Sequence, residues 1–578
     1  MKTEPKTEVD EPVGAPTTAP PGSRWRVWPA RFAFAFLLPV ILLALAEGTL
    51  RLFHAGYSTD LMEPCTIRGR PFACYNLFFA APFFPPGVIK TPQFFSIPLQ
   101  KAPGTYRIFV LGESAAMGDP DPAYSFSRYL DVLLRERFPS MKFEIVNTGM
   151  VAINSHVSLV MARHLAKYKP DLFLVYSGSN EVVGPYGPGT VLTSSSMSMP
   201  VIRASIFVRS LRIGQLLAEG GKQHAEWRGM EMFLNKQVRA DSPRLEPAYR
   251  NFESNLRSIV KVARASGARV ILSTIATNLK DSAPFASLHR QALNADALRQ
   301  WNSLAQQAAT LENAGLCAEA LDLYNQAANI DGQFAELHFR MARCKWQLGK
   351  FGAAKEHFVR ARDLDVLRFR ADSRINEIIR FVAQSSGPAA QLLDAQSLFA
   401  SQSRNGVTGS ELLYDHVHFT PPGSYLLARA AFEQMATILP SASPSPAGSI
   451  APLSELECER LLAFTAYDHS RVASEMIDRL QRPPFTTQSN HIEQVQNLML
   501  LATAPAESPQ DTAVQYQWAI GRRPDDLTLH YKFGLFLFAH DRSAAAQEFL
   551  LARPNDDFPV YLPDGTPIQY TPFRIESK

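Results

Sequence analysis

Cysteine is scarce, with five residues in 578 and no Cys-x-x-Cys pair. That excludes a disulfide-dense scaffold and gives no thiolate zinc module. No dense run of lysine and arginine occurs and the net charge is only +4, so the basic footprint that nucleic-acid binding needs is missing. His-Glu-x-x-His is absent, as is a Walker A phosphate loop, which removes the zincin and ATPase readings. The Gly-x-Ser-x-Gly elbow of α/β-hydrolases fails at Gly112-Glu113-Ser114, because position 116 is Ala. Nothing in the sequence requires a metal or an organic cofactor.

What is present begins with the two ends of a hydrophobic segment. Residues 1–23 are rich in Pro, Thr and Glu without a hydrophobic period and read as a disordered tail. An apolar run follows from Phe32 to Ala46, with Arg24, Arg26 and Arg31 before it. Basic residues on the near side predict that this end stays cytoplasmic and the rest crosses. A full span needs about 20 residues, a length reached only if Leu50, Leu52 and Phe53 continue the helix past Glu47. Ala44-Leu45-Ala46 also resembles a signal-peptidase site, so anchor and cleaved signal both stay open. Either places the remainder outside the cytoplasm; for the anchor, the expectation is a single-pass inner-membrane protein facing the periplasm. Cys65 and Cys74, nine residues apart just beyond this segment, fit either a loop-stapling disulfide or two free thiols.

At 46% hydrophobic the chain can build several cores, and two to four domains are expected. After a Pro- and Phe-rich connector, apolar runs alternate with helical patterns. The runs are "YRIFVLGES", "KFEIVNTGM", "DLFLVYSGSNE" and "ARVILSTIATN". Continuous apolar strands alternating with helices predict a parallel sheet covered on both faces, with ligands beyond the strands' carboxyl ends. Between 290 and 382 a 34-residue period takes over: Gly315 aligns with Gly349, Ala320 with Ala354, Tyr324 with Phe358, and Ala327 with Ala361. This pattern resembles the tetratricopeptide repeat. "PSASPSPAGSIAP" reads as a linker, and the helical remainder carries a weaker repeat with Ala519, Pro524, Gly534 and Ala546 in register. The expected organisation is a tail (1–31), a membrane or signal segment (32–53), a connector (54–104), an α/β domain in two parts (105–289 and 383–439) around a helical insert (290–382), a linker (440–452) and a helical C-terminal domain (453–578).

Four polar elements fall at or after the strand ends: Gly112-Glu113-Ser114, Asn147-Thr148-Gly149, Gly178-Ser179-Asn180-Glu181 and Asp415-x-x-His418. A serine hydroxyl is a poor nucleophile until a base takes its proton. His418 can be that base, with Asp415 fixing its tautomer. The amides of Ser114 and Gly149 and the side-chain amide of Asn180 form a suitable set of oxyanion donors, each typically worth ~3 kcal/mol. In this order the blocks "LGESAAMGD", "NTGMVAINS", "YSGSNEVVG" and "YDHVHFTPPG" resemble the SGNH (GDSL-like) hydrolase family, with Glu113 in place of the usual Asp. The resemblance covers about 105–285 and 385–435. It implies a flavodoxin-like three-layer α/β fold, interrupted here by the helical repeat insert, and ester hydrolysis or acyl transfer through an acyl-serine.

Each block alone has a plainer reading. Ser114 fits a helix N-cap, Asn180 a turn brace, and Asp415 with His418 a surface turn before "PPG". Asp415, His416 and His418 fit a metal site that lacks further ligands; His416 reads instead as an exposed neighbour. Glu181 reads as a substrate contact or a loop holder, and "GPYGPGT" (184–190) as a mobile loop or lid. The combined expectation is a membrane-tethered esterase acting on an ester-bearing substrate, with envelope carbohydrate as the guess for the alcohol partner. Glycan O-acyl transfer from the same serine stays open, as does a scaffold whose repeats bind a protein partner.

Overall fold

The computed structural model describes residues 27–553 and 563, apart from 68, 86, 89–94, 194, 196–197, 220–226, 440–450 and 504–506. Most of the N-terminal tail, with Arg24 and Arg26, and most of the linker lie outside the described residues. The chain divides into a small unit, residues 1–57 with 208–221, and a large unit formed by the rest.

In the small unit one helix runs Val27–Leu52, so it does continue past Glu47. The Glu47 carboxylate accepts hydrogen bonds from the amides of Arg212 and Ile213 in the first turn of helix Arg212–Glu219, at 3.1 and 3.2 Å. It also meets Arg51 Nε at 2.8 Å. Among the described side chains, the large apolar ones from Phe34 to Leu45 are 39–66% exposed. Among the described residues, no helix is long and apolar enough to cross a membrane.

The large unit opens with an antiparallel sheet, β1 (Met62–Ile67), β2 (Arg70–Tyr75) and β3 (Ser96–Pro98). The predicted connector is therefore folded, with Phe79, Phe83 and Phe84 buried. Of the two readings left open for Cys65 and Cys74, the disulfide is the one observed, linking β1 to β2.

The main sheet contains β4 (Thr105–Gly112), β5 (Lys142–Asn147), β6 (Leu172–Tyr176), β7 (Arg269–Ser273) and β8 (Ala390–Leu393). Its order is β5-β4-β6-β7-β8, all parallel. All eight residues of β4 are buried, as a strand covered on both faces requires. The first four strands are those read from the sequence. β8 is an addition: its four residues follow a single 3-10 turn and precede a helix, too short to show a period. Helices Phe126–Arg137 and Pro421–Ala436 pack together, and helices Ser155–Leu165 and Ser373–Ser385 each pack on Leu245–Ala265. Helix Ser373–Ser385 also lies against β7 and β8, serving as cover for the sheet.

The 34-residue period corresponds to two helix hairpins, Ala295–Asn313 with Cys317–Ile330 and Ala335–Gln347 with Phe351–Leu364. Gly315 and Gly349 sit at the same place in each hairpin with φ of 78° and 71°, which favours glycine. The matched Ala, Tyr and Phe positions are all buried. Where the chain enters and leaves these hairpins it is clamped: Asp365 accepts from the amides of Phe285 and Ala286, and Arg370 donates to Asp365 and to the carbonyls of Asn278 and Ser282. The C-terminal helices are tied to the α/β core by ion pairs Arg128–Asp526 and Lys532–Asp121, both 2.6 Å.

One residue at the end of β4 controls how closely it meets β6. A Cβ on Gly112 would lie 2.2 Å from the carbonyl oxygen of Tyr176 and 2.4 Å from Ala116 Cβ. The carbonyl belongs to β6, which is paired to β4 at this point. Gly112→Ala is expected to cost about 1–3 kcal/mol by forcing the strands apart, read as a lowered urea midpoint at unchanged m.

Candidate active site

Ser114 opens a helix of only four residues, Ser114–Met117, which ends at Gly118 with φ of 97°. A Cβ on Gly118 would lie 2.3 Å from Ser125 Cβ, so the reversal needs glycine for both reasons. The turn leaves Ser114 half-buried on a cavity of about 550 Å³ beyond the ends of β4 and β6. Glu113 is buried beneath it. Its carboxyl accepts from Ser177 Oγ (3.0 Å) and from the amides of Gly178 and Ser179 (both 2.9 Å) and Asn180 (3.2 Å). Glu113 thus binds the loop carrying Asn180 to the turn carrying Ser114.

Asp415 and His418 come from a loop closed by a bridge between Leu413 and Phe419. Asp415 is fully buried. Its Oδ1 accepts from the amides of Val417 and His418, both at 2.9 Å, and its Oδ2 meets His418 Nδ1 at 2.7 Å. Burial would push this carboxyl up, but the facing His418 and His416 hold it well below its ordinary value. The "PPG" that follows is the first turn of helix Pro421–Ala436, capped by Thr420, as proline at N1 allows. His418 Nε2 stands 2.9 Å from Ser114 Oγ. Three residues read from the sequence therefore form one hydrogen-bonded chain.

Asn180 lines the same cavity, and among the described residues its side-chain amide has no partner. Gly149 differs. Its amide donates to Asn147 Oδ1 at 2.9 Å, and it is not among the residues lining the cavity. A Cβ there would lie 2.6 Å from the backbone nitrogen of Met117, so Gly149 serves the close packing of its loop on the Ser114 turn. His416 is buried rather than exposed, edge-on to Phe285 at 5.1 Å between ring centroids. The ligand atoms of Asp415, His416 and His418 lie within 4.8 Å of one another, but both ring nitrogens of His418 are already engaged. Glu181 is a loop holder: its carboxyl accepts from the amide and hydroxyl of Ser155 at 2.7 and 2.8 Å. Residues 184–190 are wholly buried instead of forming a lid. Their glycines pack tightly, the Gly187 Cβ position lying 2.3 Å from the Val182 carbonyl oxygen.

Several lining residues were not foreseen. Asp119 ends the first block, and its Oδ2 lies 3.1 Å from His418 Nε2. Glu475, Arg479, Arg482 and Phe485 reach the cavity from the C-terminal region, while Trp227, Met230 and Phe233 arrive from the segment after β6. No spacing rule joins these stretches to the four blocks. The only local signal was the placement of Asp119 in the first block.

No protein-family model matches the chain, and no curated protein does. Among solved structures it is similar to a putative acylhydrolase from Bacteroides fragilis, at 12% identity over 58% of this chain and 88% of that one, TM-score 0.26. It is similar to a GDSL-like lipase from Bacteroides thetaiotaomicron, at 10% identity over 58% and 89%, TM-score 0.24. A third is TesA, at 16% identity over 30% of this chain, TM-score 0.18; the match spans 62% of TesA, less than two thirds of its length.

Burial, with the charge of Glu181 nearby, pushes Glu113 up to about 8 against its hydrogen bonds, and burial pushes Glu181 to about 7. Between the ordinary carboxyl value and about 7, both hold a proton in the folded protein that the unfolded chain has released. Their stabilisation is therefore complete below the ordinary carboxyl value and is lost as pH rises through about 7 and 8. In Glu113→Gln the loss of unfolding free energy between pH 5 and pH 8 should be shallower by about 1 kcal/mol per pH unit. Urea midpoints at both pH values test this, and equal slopes in the two proteins would count against it.

Proposed function

We propose that the protein is a serine esterase of the SGNH type. The observation that carries this reading is the chain Ser114 Oγ–His418 Nε2 (2.9 Å) and His418 Nδ1–Asp415 Oδ2 (2.7 Å). Asp415, an acceptor at Nδ1, selects the tautomer whose Nε2 is free to take a proton. As Ser114 Oγ bonds to the acyl carbon, its proton passes to His418 Nε2. The ester oxygen then leaves with that proton, producing the alcohol and an acyl-serine. Water repeats the sequence, releasing the acid and returning the proton to Ser114. The Ser114 amide and Asn180 Nδ2 are the donors for the tetrahedral oxyanion. The Gly149 amide, turned to Asn147, is left out of this set.

The cavity offers aromatic walls from Trp227, Phe233, Phe369 and Phe485 and a charged side from Glu475, Asp478, Arg479 and Arg482. That mixture supports an alcohol partner with many hydroxyls, such as a carbohydrate, beside an apolar acyl group. The exposed apolar side chains of helix Val27–Leu52 support tethering at a membrane. The Cys65–Cys74 disulfide supports an oxidising, extracytoplasmic compartment. The two hairpins between β7 and β8 support a role in contacting a partner protein.

The test uses the purified full-length chain and a chromogenic acetyl ester. Ser114→Ala is expected to lower kcat/KM at least ~10³-fold, and Asn180→Ala about 10²-fold or more. A fluorophosphonate should label the parent at Ser114. Equal turnover by the parent and Ser114→Ala would remove Ser114 from the mechanism.

A further inference from the structure

A serine–histidine–aspartate relay needs no acid at the nitrogen that receives the serine proton. Here one is present. Asp119 Oδ2 lies 3.1 Å from His418 Nε2, beside the Ser114 contact at 2.9 Å. The same carboxylate is gripped by Arg479 of helix Ala466–Leu480, with Nη1 on Oδ2 at 2.6 Å and Nη2 on Oδ1 at 3.0 Å. This two-pronged pair crosses 360 residues of chain.

We propose that Arg479 is a positioning residue for the reaction, acting through Asp119: it occupies that carboxylate so that His418 Nε2 serves Ser114 rather than Asp119. The inference rests on the esterase reading. An opposite charge at this range favours the protonated imidazole, and an imidazolium cannot take the serine proton. A bare Asp119 would therefore trap His418 in the inactive form. It would also compete with the leaving oxygen for the proton on Nε2. A bidentate guanidinium holds both carboxylate oxygens in fixed geometry and weakens Asp119 as an acceptor. Burial would raise the Asp119 carboxyl, but His418 and Arg479 keep it below its ordinary value, so the resting group is an anion.

The other groups around His418 do not duplicate this arrangement. Asp415 holds Nδ1 from the same loop. His416 faces His418 edge-on at 5.7 Å; burial lowers its imidazole against the pull of Asp415 at 3.3 Å, and the charges of His418 and Arg370 lower it further. Glu113 lies under the Ser114 turn with its hydrogen bonds directed to the Asn180 loop. Glu475 also lines the cavity, and its carboxylate stands 3.9 Å from Arg479 Nη2. Arg482 and Asp478 line the cavity from the same C-terminal stretch. Among the described residues, only Ser114 and Asp119 meet Nε2 within 3.5 Å.

The test is the rate of Ser114 labelling by a fluorophosphonate from pH 5 to 9.5, which needs no natural substrate. Arg479→Met should move the acid limb up by about one pH unit, so the ratio of rates at pH 6 and pH 9 falls up to tenfold below the parent's. Adding Asp119→Asn to that variant should return the limb to the parent position or below. Arg479→Lys, which keeps a cation, should fall between parent and Arg479→Met. If Arg479→Met does not fold, Asp119→Asn alone carries the test, its limb moving to lower pH. A uniform slowing at every pH in Arg479→Met, or an unmoved limb in Asp119→Asn, would overturn the inference alone. Failure of the parent to label at Ser114 would overturn the esterase reading and this inference with it.

Discussion

The contact between His418 Nε2 and Ser114 Oγ joins residues 304 positions apart, and the rest of the architecture is arranged around making that closure possible. Lengthening an intervening loop costs little, since closure entropy grows only logarithmically with length. What must be exact is the place where the chain returns. That is secured by pairing β8 to β7 in the same sheet and by the Asp365 and Arg370 clamp at the base of the hairpins. The insert can then grow outward without moving the histidine loop.

The site is also a way of managing buried acids. Glu113, Asp119 and Asp415 surround one serine, and each is accommodated differently. Glu113 is surrounded by three backbone amides and a hydroxyl, Asp415 by two amides and two imidazoles, and Asp119 by a guanidinium from a distant helix. The two that are ionised, Asp119 and Asp415, would cost several kcal/mol each without such partners. The same economy applies to Asp121, which receives Lys532. The "GDPDP" segment immediately after the Ser114 turn is thus bound ionically to the C-terminal helices at two successive acids. The helical region after the linker is part of the site's wall and not a detached appendage.

The four short blocks contain the hydroxyl, the imidazole and its aspartate, and the structure brings these three into one hydrogen-bonded chain. The strand-end rule worked for β4 and β6 because an apolar run must end where the sheet ends, and the next polar residue lies at the rim. Gly149 shows the limit of that reasoning. It stands at the end of β5, yet Asn147 two residues earlier turns back to take its amide, a competition that a block pattern does not express. Residues 184–190 have the composition of a mobile turn, but composition does not reveal that Arg244 donates to the Pro188 carbonyl or that the amides of Gly184 and Gly189 donate back to the carbonyls of Asn180 and Val182.

Local sequence by itself determined the parallel strands, the hairpin period at Gly315 and Gly349, and the residue types able to perform acyl transfer. Those follow from periodicity, backbone sterics and side-chain chemistry, which act over a few residues. Only the tertiary structure decided that β8 joins the sheet, that His416 is buried against Phe285, and that Arg479 governs Asp119 at the histidine. Each of these depends on surfaces brought together from remote parts of the chain, where the deciding terms are shape, burial and charge compensation, and none leaves a mark on the spacing of its neighbours.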